Sequence, residues 1–276
     1  MLWGLNYTAM KIANTGFAPI FNSFLRSSIA SLLGIAYCYS IKESLFHRDS
    51  RLFHGFIVGL LFGVEFVFIY LGLLYTDAAR AGILINCSPF VVALGAFFFL
   101  KEKLGVNKVV GLILAFIGIY SVFQGKPRTW TSSMLLGDVL ELAAAVLWGA
   151  TTVYIKKYLA DRVHPIHTFL YQLVFSVPII LICSLFLEPR WILTVTPAAV
   201  IALIYSSVII AFVSYFIWFR LIHTYPVSEL AVFTFLSPVF GVICGVLFLG
   251  EQATGGLIIG LLLVSAGIYI TNYRKK

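Results

Sequence analysis

Nine stretches of about 20 mostly apolar residues follow one another along this chain of 276 residues. Each is long enough to cross about 30 Å of hydrocarbon as a helix. A helix satisfies its own backbone hydrogen bonds, as a segment in lipid must. Read back from the C-terminus, the stretches fall near 256–272, 226–249, 197–220, 166–187, 137–156, 108–124, 80–100, 55–75 and 20–40. Charged or turn residues part them, such as Lys101 to Lys103, Lys126-Pro127-Arg128, Glu188-Pro189-Arg190 and Gly250-Glu251. Composition agrees, with 61% hydrophobic and 11% charged residues, against roughly 45–50% and about 25% in soluble domains. An ordinary soluble domain and a disordered chain are excluded. Cys38, Cys87, Cys183 and Cys244 lie apart in apolar runs and read as small hydrophobes, neither metal ligands nor disulfides.

The N-terminus departs from this pattern. Lys11 arrives after ten residues, about 15 Å of helix, and neither a basic leader nor a small-residue cleavage site marks a signal peptide. The expectation is a tenth span whose beginning is truncated. With that stub as span 1, the loops alternate sides. Thirteen of the 19 Lys and Arg residues fall on one side and five on the other, with Arg26 inside span 2. The positive-inside rule puts the thirteen, and both termini, in the cytoplasm. The formal charge of +8 is then a topology signal in a multi-pass membrane protein, with no nucleic-acid partner implied.

The chain repeats itself. Ser88-Pro89 recurs as Ser237-Pro238, Glu102 as Glu251, Gly111 as Gly260, and Gly118-Ile119-Tyr120 as Gly267-Ile268-Tyr269, each 149 residues on. Leu2-Trp3-Gly4 and Lys11 recur as Leu147-Trp148-Gly149 and Lys156, 145 residues on. Five spans is an odd number, so the second copy is inverted, and inverted repeats in transporters place the substrate near midplane between the halves. The expected fold is all-α and integral to the membrane: ten transmembrane helices as two inverted five-helix repeats, 1–124 and 137–276, joined by an external linker, 125–136. By this symmetry span 1 lacks roughly ten residues before Leu2.

Three ionisable residues at membrane depth need a reason, since each costs at least about 2.5–3.5 kcal/mol to insert. Glu65 lies mid-span and reads as a proton-coupling or amine-binding site, or else as a neutral acid bonded to a neighbouring helix. Arg26 and Glu141 lie at similar depth from the outer side, close enough in level to pair. Arg26 with Glu65 offers a guanidinium for a carboxylate and a carboxylate for an ammonium, the two ends of an amino-acid-like zwitterion. Tyr7, Asn86, Trp148, Tyr154, Tyr171, Gln172 and Tyr215 are polar or amphipathic groups inside spans; each lines a cavity or simply packs. Pro89 and Pro238 are mid-helix hinge candidates. Gly55, Gly59 and Gly63, and Gly241 with Gly245, read as packing seams. Glu102 and Glu251 end spans 4 and 9 as interface anchors or gate elements.

These features together resemble the drug/metabolite transporter superfamily, specifically its EamA-type two-repeat members. The carriers are the Leu-Trp-Gly near the front of each repeat, Leu25-Arg26, Leu74-Tyr75-Thr76 with Ala78 and Ala79, Ser-Pro leading to Glu in each repeat, and Gly137-Asp138. The resemblance spans almost the whole chain and implies ten helices, cytoplasmic termini, a central cavity and movement of a small metabolite by alternating access. Many such relatives export amino acids or related compounds. Glu65 and Glu141 are departures that bear on substrate.

The five histidines, His47, His54, His164, His167 and His223, fall in or beside cytoplasmic loops and read as solvated, with no metal pattern. No nucleotide-binding or nucleophile motif occurs, so no cofactor and no enzyme activity are expected. Energy would come from an ion gradient, protons through Glu65, or from the substrate's own gradient. Rival readings are export of cationic or aromatic drugs at a greasy cation site, an intramembrane enzyme, and a non-transporting scaffold. The sequence leaves substrate, direction, coupling ion and oligomeric state open.

Overall fold

The structure, a computed structural model, describes residues 2–46, 49–76, 78–122, 132–240 and 255–273. His47, Gly241, Cys244, Gly245, Glu251 and most of the 125–136 linker lie outside these residues, as do the side chains of Tyr7, Ala78, Ala79 and Arg80. The described chain is helical throughout, with α1 (Leu2–Gly16), α2 (Pro19–Ser40), α3 (Ser50–Tyr75), α4 (Ala78–Ile85), α5 (Ser88–Leu100) and α6 (Val106–Val122). There follow α7 (Ser132–Tyr158), α8 (Pro165–Leu187), and α9 (Pro197–Ile204) running through a π-helical stretch (Tyr205–Ser214) into α10 (Tyr215–Thr224). The last are α11 (Val227–Ala231) with a 3₁₀ turn (Val232–Phe235), and α12 (Gly255–Asn272).

Five described segments are long and apolar enough to cross a membrane: Ser50–Tyr75, Ala81–Leu100, Met134–Tyr158, Pro165–Leu187 and Pro197–Thr224. Shorter apolar helices cover Val106–Ser121, Val227–Phe240 and Ile258–Asn272. With 22 residues, α2 is long enough, about 33 Å at 1.5 Å per residue. It is too polar to count by composition, because Asn22, Ser23, Arg26, Ser27 and Ser31 form a buried stripe on one face. Its other face carries Leu32, and outward-pointing Phe98, Phe186, Ile201 and Leu262 repeat that pattern on α5, α8, α9 and α12. Large apolar side chains face outward in this way on helices embedded in lipid.

Small residues set the helix crossings. A Cβ on Gly55 would meet the Tyr171 ring at 2.5 Å, one on Gly59 would meet Phe175, and one on Gly63 would meet Ile179 at 3.2 Å, so this ridge is the seam between α3 and α8. α6 lies along α12 by the same means. A Cβ on Gly111 would sit 2.5 Å from the Gly267 carbonyl oxygen, and one on Gly118 2.9 Å from that of Gly260. Further pairings are α2 with α8, α3 with α7, α1 with α9 and the π-helical stretch, and α5 with α7 and α11.

Span 4 is broken rather than kinked. The Cys87 N–H donates to Leu84 O at 3.0 Å and the Phe90 N–H to Cys87 O at 3.1 Å. Pro89 therefore sits in the first turn of α5, where its missing N–H costs nothing. This corrects the expected mid-helix position. Pro238 follows the 3₁₀ tightening of span 9 by three residues. A proline the sequence reading passed over, Pro178, lies inside α8.

Two carboxylates cap helices they do not belong to. Neither α2 nor α11 has a capping side chain of its own. Glu188 accepts from the N–H groups of Ile20 (2.6 Å) and Phe21 (2.9 Å), steadied by Ser184 Oγ at 2.7 Å. Glu102 accepts from Val227 (3.1 Å) and Ser228 (3.3 Å) and from the Ser228 hydroxyl, with Lys108 Nζ 4.0 Å away. Charge-assisted bonds of this kind contribute about 1.5–3 kcal/mol. Glu188→Ala is expected to destabilise the protein by about that much, read as a lowered Tm in detergent. An unchanged Tm would remove the cap from the account of α2.

Candidate functional site

Helices α1, α3, α4, α7, α8 and α10 converge on a cavity with about 860 Å³ free of protein atoms, counting the part that opens outward. Its aromatic wall is built around Trp3. That ring lies 5.8 Å from Trp148, 5.2 Å from Trp218 and 6.2 Å from Tyr215, and its Nε1 donates to Ser214 Oγ at 2.8 Å. Glu65, 4% exposed, supplies the one acidic side chain lining it among the described residues. Asn86 and Gln172 bring amides, and Thr151 and Thr152 hydroxyls. The Asn86 Nδ2 donates to Gly82 O at 2.6 Å, which caps the end of α4 at the break and leaves its oxygen for other partners. An aromatic box with one carboxylate attracts cations through both ring faces and charge.

Five of the expected residues thus meet in one place: Glu65, Asn86, Trp148, Gln172 and Tyr215. Four others do not line it. Arg26 is wholly buried, with its guanidinium carbon 4.5 Å from the Phe66 ring centre and 5.2 Å from that of Tyr215, and those two rings stand between it and the cavity. It does not pair with Glu141, because the two face different helices. Arg26 Nε donates to Ser206 O at 3.3 Å, whereas Glu141 points at Gly72, where a Cβ would lie 2.8 Å from its Oε1. Arg26 and Glu65 form no ion pair, although Arg26 is the charged group acting on Glu65. Tyr154 is engaged instead with His54, at 2.7 Å from its Nδ1. Tyr171 packs between Phe46 and Phe175.

His167 and His223 correct the expectation of solvated loop residues: His167 is 1% exposed with Nε2 2.6 Å from Ser44 O, and His223, half-buried, has Nε2 2.9 Å from the Thr168 hydroxyl. His164 is exposed, as expected, and caps α8. Polar atoms near helix ends take buried partners when neighbouring spans pack over them. Among the described residues no group of three His, Cys, Asp or Glu side chains is placed to hold a metal.

Trp3, Asn6, Trp218, Thr151 and Thr152 belong to the cavity without having been singled out for it. The repeat contained the signal. Lining residues come in pairs 145 apart, Trp3 with Trp148, Asn6 with Thr151 and Met10 with Ile155. Others come 149 apart, Phe66 with Tyr215, Ile69 with Trp218 and Ile85 with Thr234.

Comparison with known proteins places this arrangement. A solved crystal structure superimposes with a TM-score of 0.84 at 20% identity, covering 98% of this chain and 92% of that one. The "Uncharacterized transporter YoaV" of Bacillus subtilis is 25% identical over all of this chain and 96% of its own length. Proteins named "Probable amino-acid metabolite efflux pump" match at 27% in Salmonella typhimurium, over 98% of this chain and 91% of that protein, and at 26% in Escherichia coli, over 100% and 93%. The EamA-like transporter family profile matches residues 1–124 and 135–273. The chain is a membrane protein that belongs to the EamA-like transporter family.

Proposed function

We propose that the protein is a secondary transporter that exports a small metabolite, an amino acid or a derivative, by alternating access through the central cavity. Ten spans form two inverted halves, 1–124 and 137–276, with 125–136 outside and both termini in the cytoplasm of a bacterial inner membrane. The observation that carries this reading is the pairing of cavity residues across the repeat. The packing supports it as well. Exchanging each span n for n+5 turns the contact of α1 with α9 into that of α7 with α3, and maps α2–α8 and α6–α12 onto themselves. The names of the efflux pumps among the relatives support an amino-acid metabolite. A second reading, cationic or aromatic compounds, is favoured by one observation: Glu65 and three tryptophans line the cavity while Arg26 stands behind its wall. Proton coupling through Glu65 fits either. Counterflow in proteoliposomes against a panel of amino acids and aromatic cations separates the two, and movement of neither class would favour a scaffold.

Alternating access also accounts for an asymmetry between equivalent lysines. Lys156 Nζ donates to the carbonyls of Ile222 (2.9 Å) and His223 (3.2 Å) near the end of α10. Lys11, its repeat counterpart, is exposed and has no partner among the described residues. α3 ends at Tyr75 as α10 ends at Thr224, so the matching acceptors for Lys11 are Leu73 and Leu74. One clasp is closed and the other open, as in a carrier open to one side. Lys156→Gln is expected to raise labelling of Thr152→Cys by an impermeant thiol reagent several-fold in inside-out vesicles, in a background without native cysteines. Unchanged labelling would eliminate the clasp.

A further inference from the structure

Behind the cavity wall lies a second polar centre. Arg26 is 0% exposed, and beyond the bond from Nε to Ser206 O neither Nη1 nor Nη2 has a hydrogen-bond partner among the described residues. Ser23 and Ser27, on the same face of α2 and also 0% exposed, have unpartnered hydroxyls. The row continues through the unpartnered Ser31 Oγ and Asn22 Oδ1. The facing element is the π-helical stretch, a helix form that recurs at functional sites, and it supplies the Ser206 carbonyl that holds Nε.

A guanidinium stays protonated in proteins. Apart from the Tyr215 hydroxyl, which interacts with the guanidinium, the Nη hydrogens meet no acceptor among the described residues, and beside hydroxyls free to turn as donors they carry a cost that native structures remove with a bound partner. The aromatic faces of Phe66 and Tyr215 offset part of the charge but accept no conventional hydrogen bond along the guanidinium edge. The missing partner is rich in acceptors, small and negative.

We propose that Arg26, with the Ser23 and Ser27 hydroxyls, forms a buried site for a small anion, a halide or a carboxylate, behind the Phe66–Tyr215 wall of the cavity. The site stands apart from the transport reading, because occupancy is measured on the resting protein without any transport substrate. A filled site holds the guanidinium beneath the two rings that line the cavity, and so fixes the shape of that wall.

The test uses the purified full chain in detergent. Tm is followed by intrinsic fluorescence as potassium MOPS, whose anion is a bulky sulfonate, is replaced by potassium chloride, or by potassium acetate, at constant ionic strength, with L-leucine added in potassium MOPS as a third arm. The expected result is a saturable rise of several degrees with chloride or acetate. It should be absent in Arg26→Gln and shifted to at least about tenfold higher concentration in the Ser23→Ala/Ser27→Ala double variant, which loses two hydrogen bonds. A response to chloride assigns a halide; a response to acetate and leucine alone assigns a carboxylate. If Arg26→Gln does not fold, the double variant still decides. A flat wild-type response in every arm, or one unchanged in the double variant, overturns the proposal and leaves water as the occupant.

Discussion

Leucine at Gly267 or Gly111 is expected to cost the protein at least about 3 kcal/mol, the upper range for overpacking a filled core. At Gly267 the nearest atoms to a new Cβ are backbone: Gly111 O at 2.5 Å and Ala115 N at 2.7 Å. Rotamer changes do not move these atoms, so α6 and α12 must separate. The seam they share is continuous with the cluster of Leu112, Ala115, Ile119, Phe235 and Val264. Close approach of small residues, rather than a hydrophobic drive, holds helices together in lipid, so separation forfeits the contacts of both helices. The measurement is Tm together with the monodisperse fraction on size exclusion. Gly82→Ala is the control, because a Cβ there meets nothing within 4 Å. A Gly267→Leu variant with the wild-type transition would refute this account of the pairing.

Glu65→Gln is expected to lower transport at least about tenfold, since a charge-assisted contact contributes about 1.5–3 kcal/mol and tenfold corresponds to about 1.4 kcal/mol. The substitution keeps shape and polarity and removes the one ionisable acid from a cavity whose other walls are rings, amides and hydroxyls among the described residues. Glu141→Gln makes the same chemical change at a wholly buried position that does not line the cavity. Transport is expected to survive it. Initial rates of counterflow, with the counterflowed compound taken from the panel above, compare the two. Equal losses in both variants would show that burial of an acid, rather than its place in the cavity, is what transport requires.

Much of this was legible in the sequence. Apolar runs separated by charge located the helices to within a few residues. Glu65 drew attention because the cost of a carboxylate at that depth does not depend on packing detail. What stayed hidden were helix rotations. Arg26 lies mid-helix on a polar stripe that faces α8 and the π-helical stretch, and only their packing shows that two rings separate it from the cavity. The same holds for Glu141, which a glycine on α3 receives. Asp49, which accepts from the Arg51 N–H at 2.9 Å, starts α3 five residues ahead of the apolar run, because a cap extends a helix without changing hydropathy. Trp3 and Thr152 were passed over for another reason: their counterparts Trp148 and Tyr7 predict them only once the offset is applied residue by residue.

That offset gives the contact between Trp3 and Trp148 a further meaning. Counterparts of one another in the two halves, they touch at 5.8 Å, as identical residues do where a two-fold axis passes through an isologous interface. Glu65 breaks the equivalence. The residue 149 positions on is Ser214, whose hydroxyl accepts from the Trp3 indole. The pocket is therefore matched at the Trp3–Trp148 and Phe66–Tyr215 pairs, and lopsided in its charge and at Trp218, whose counterpart is Ile69. On the function proposed above, a solute on the axis would meet a tryptophan from either half, whereas its charged end would meet a carboxylate on the first half alone. Divergence after duplication would then have left the Trp3–Trp148 pair as shared inheritance and made the choice of cargo a property of one copy.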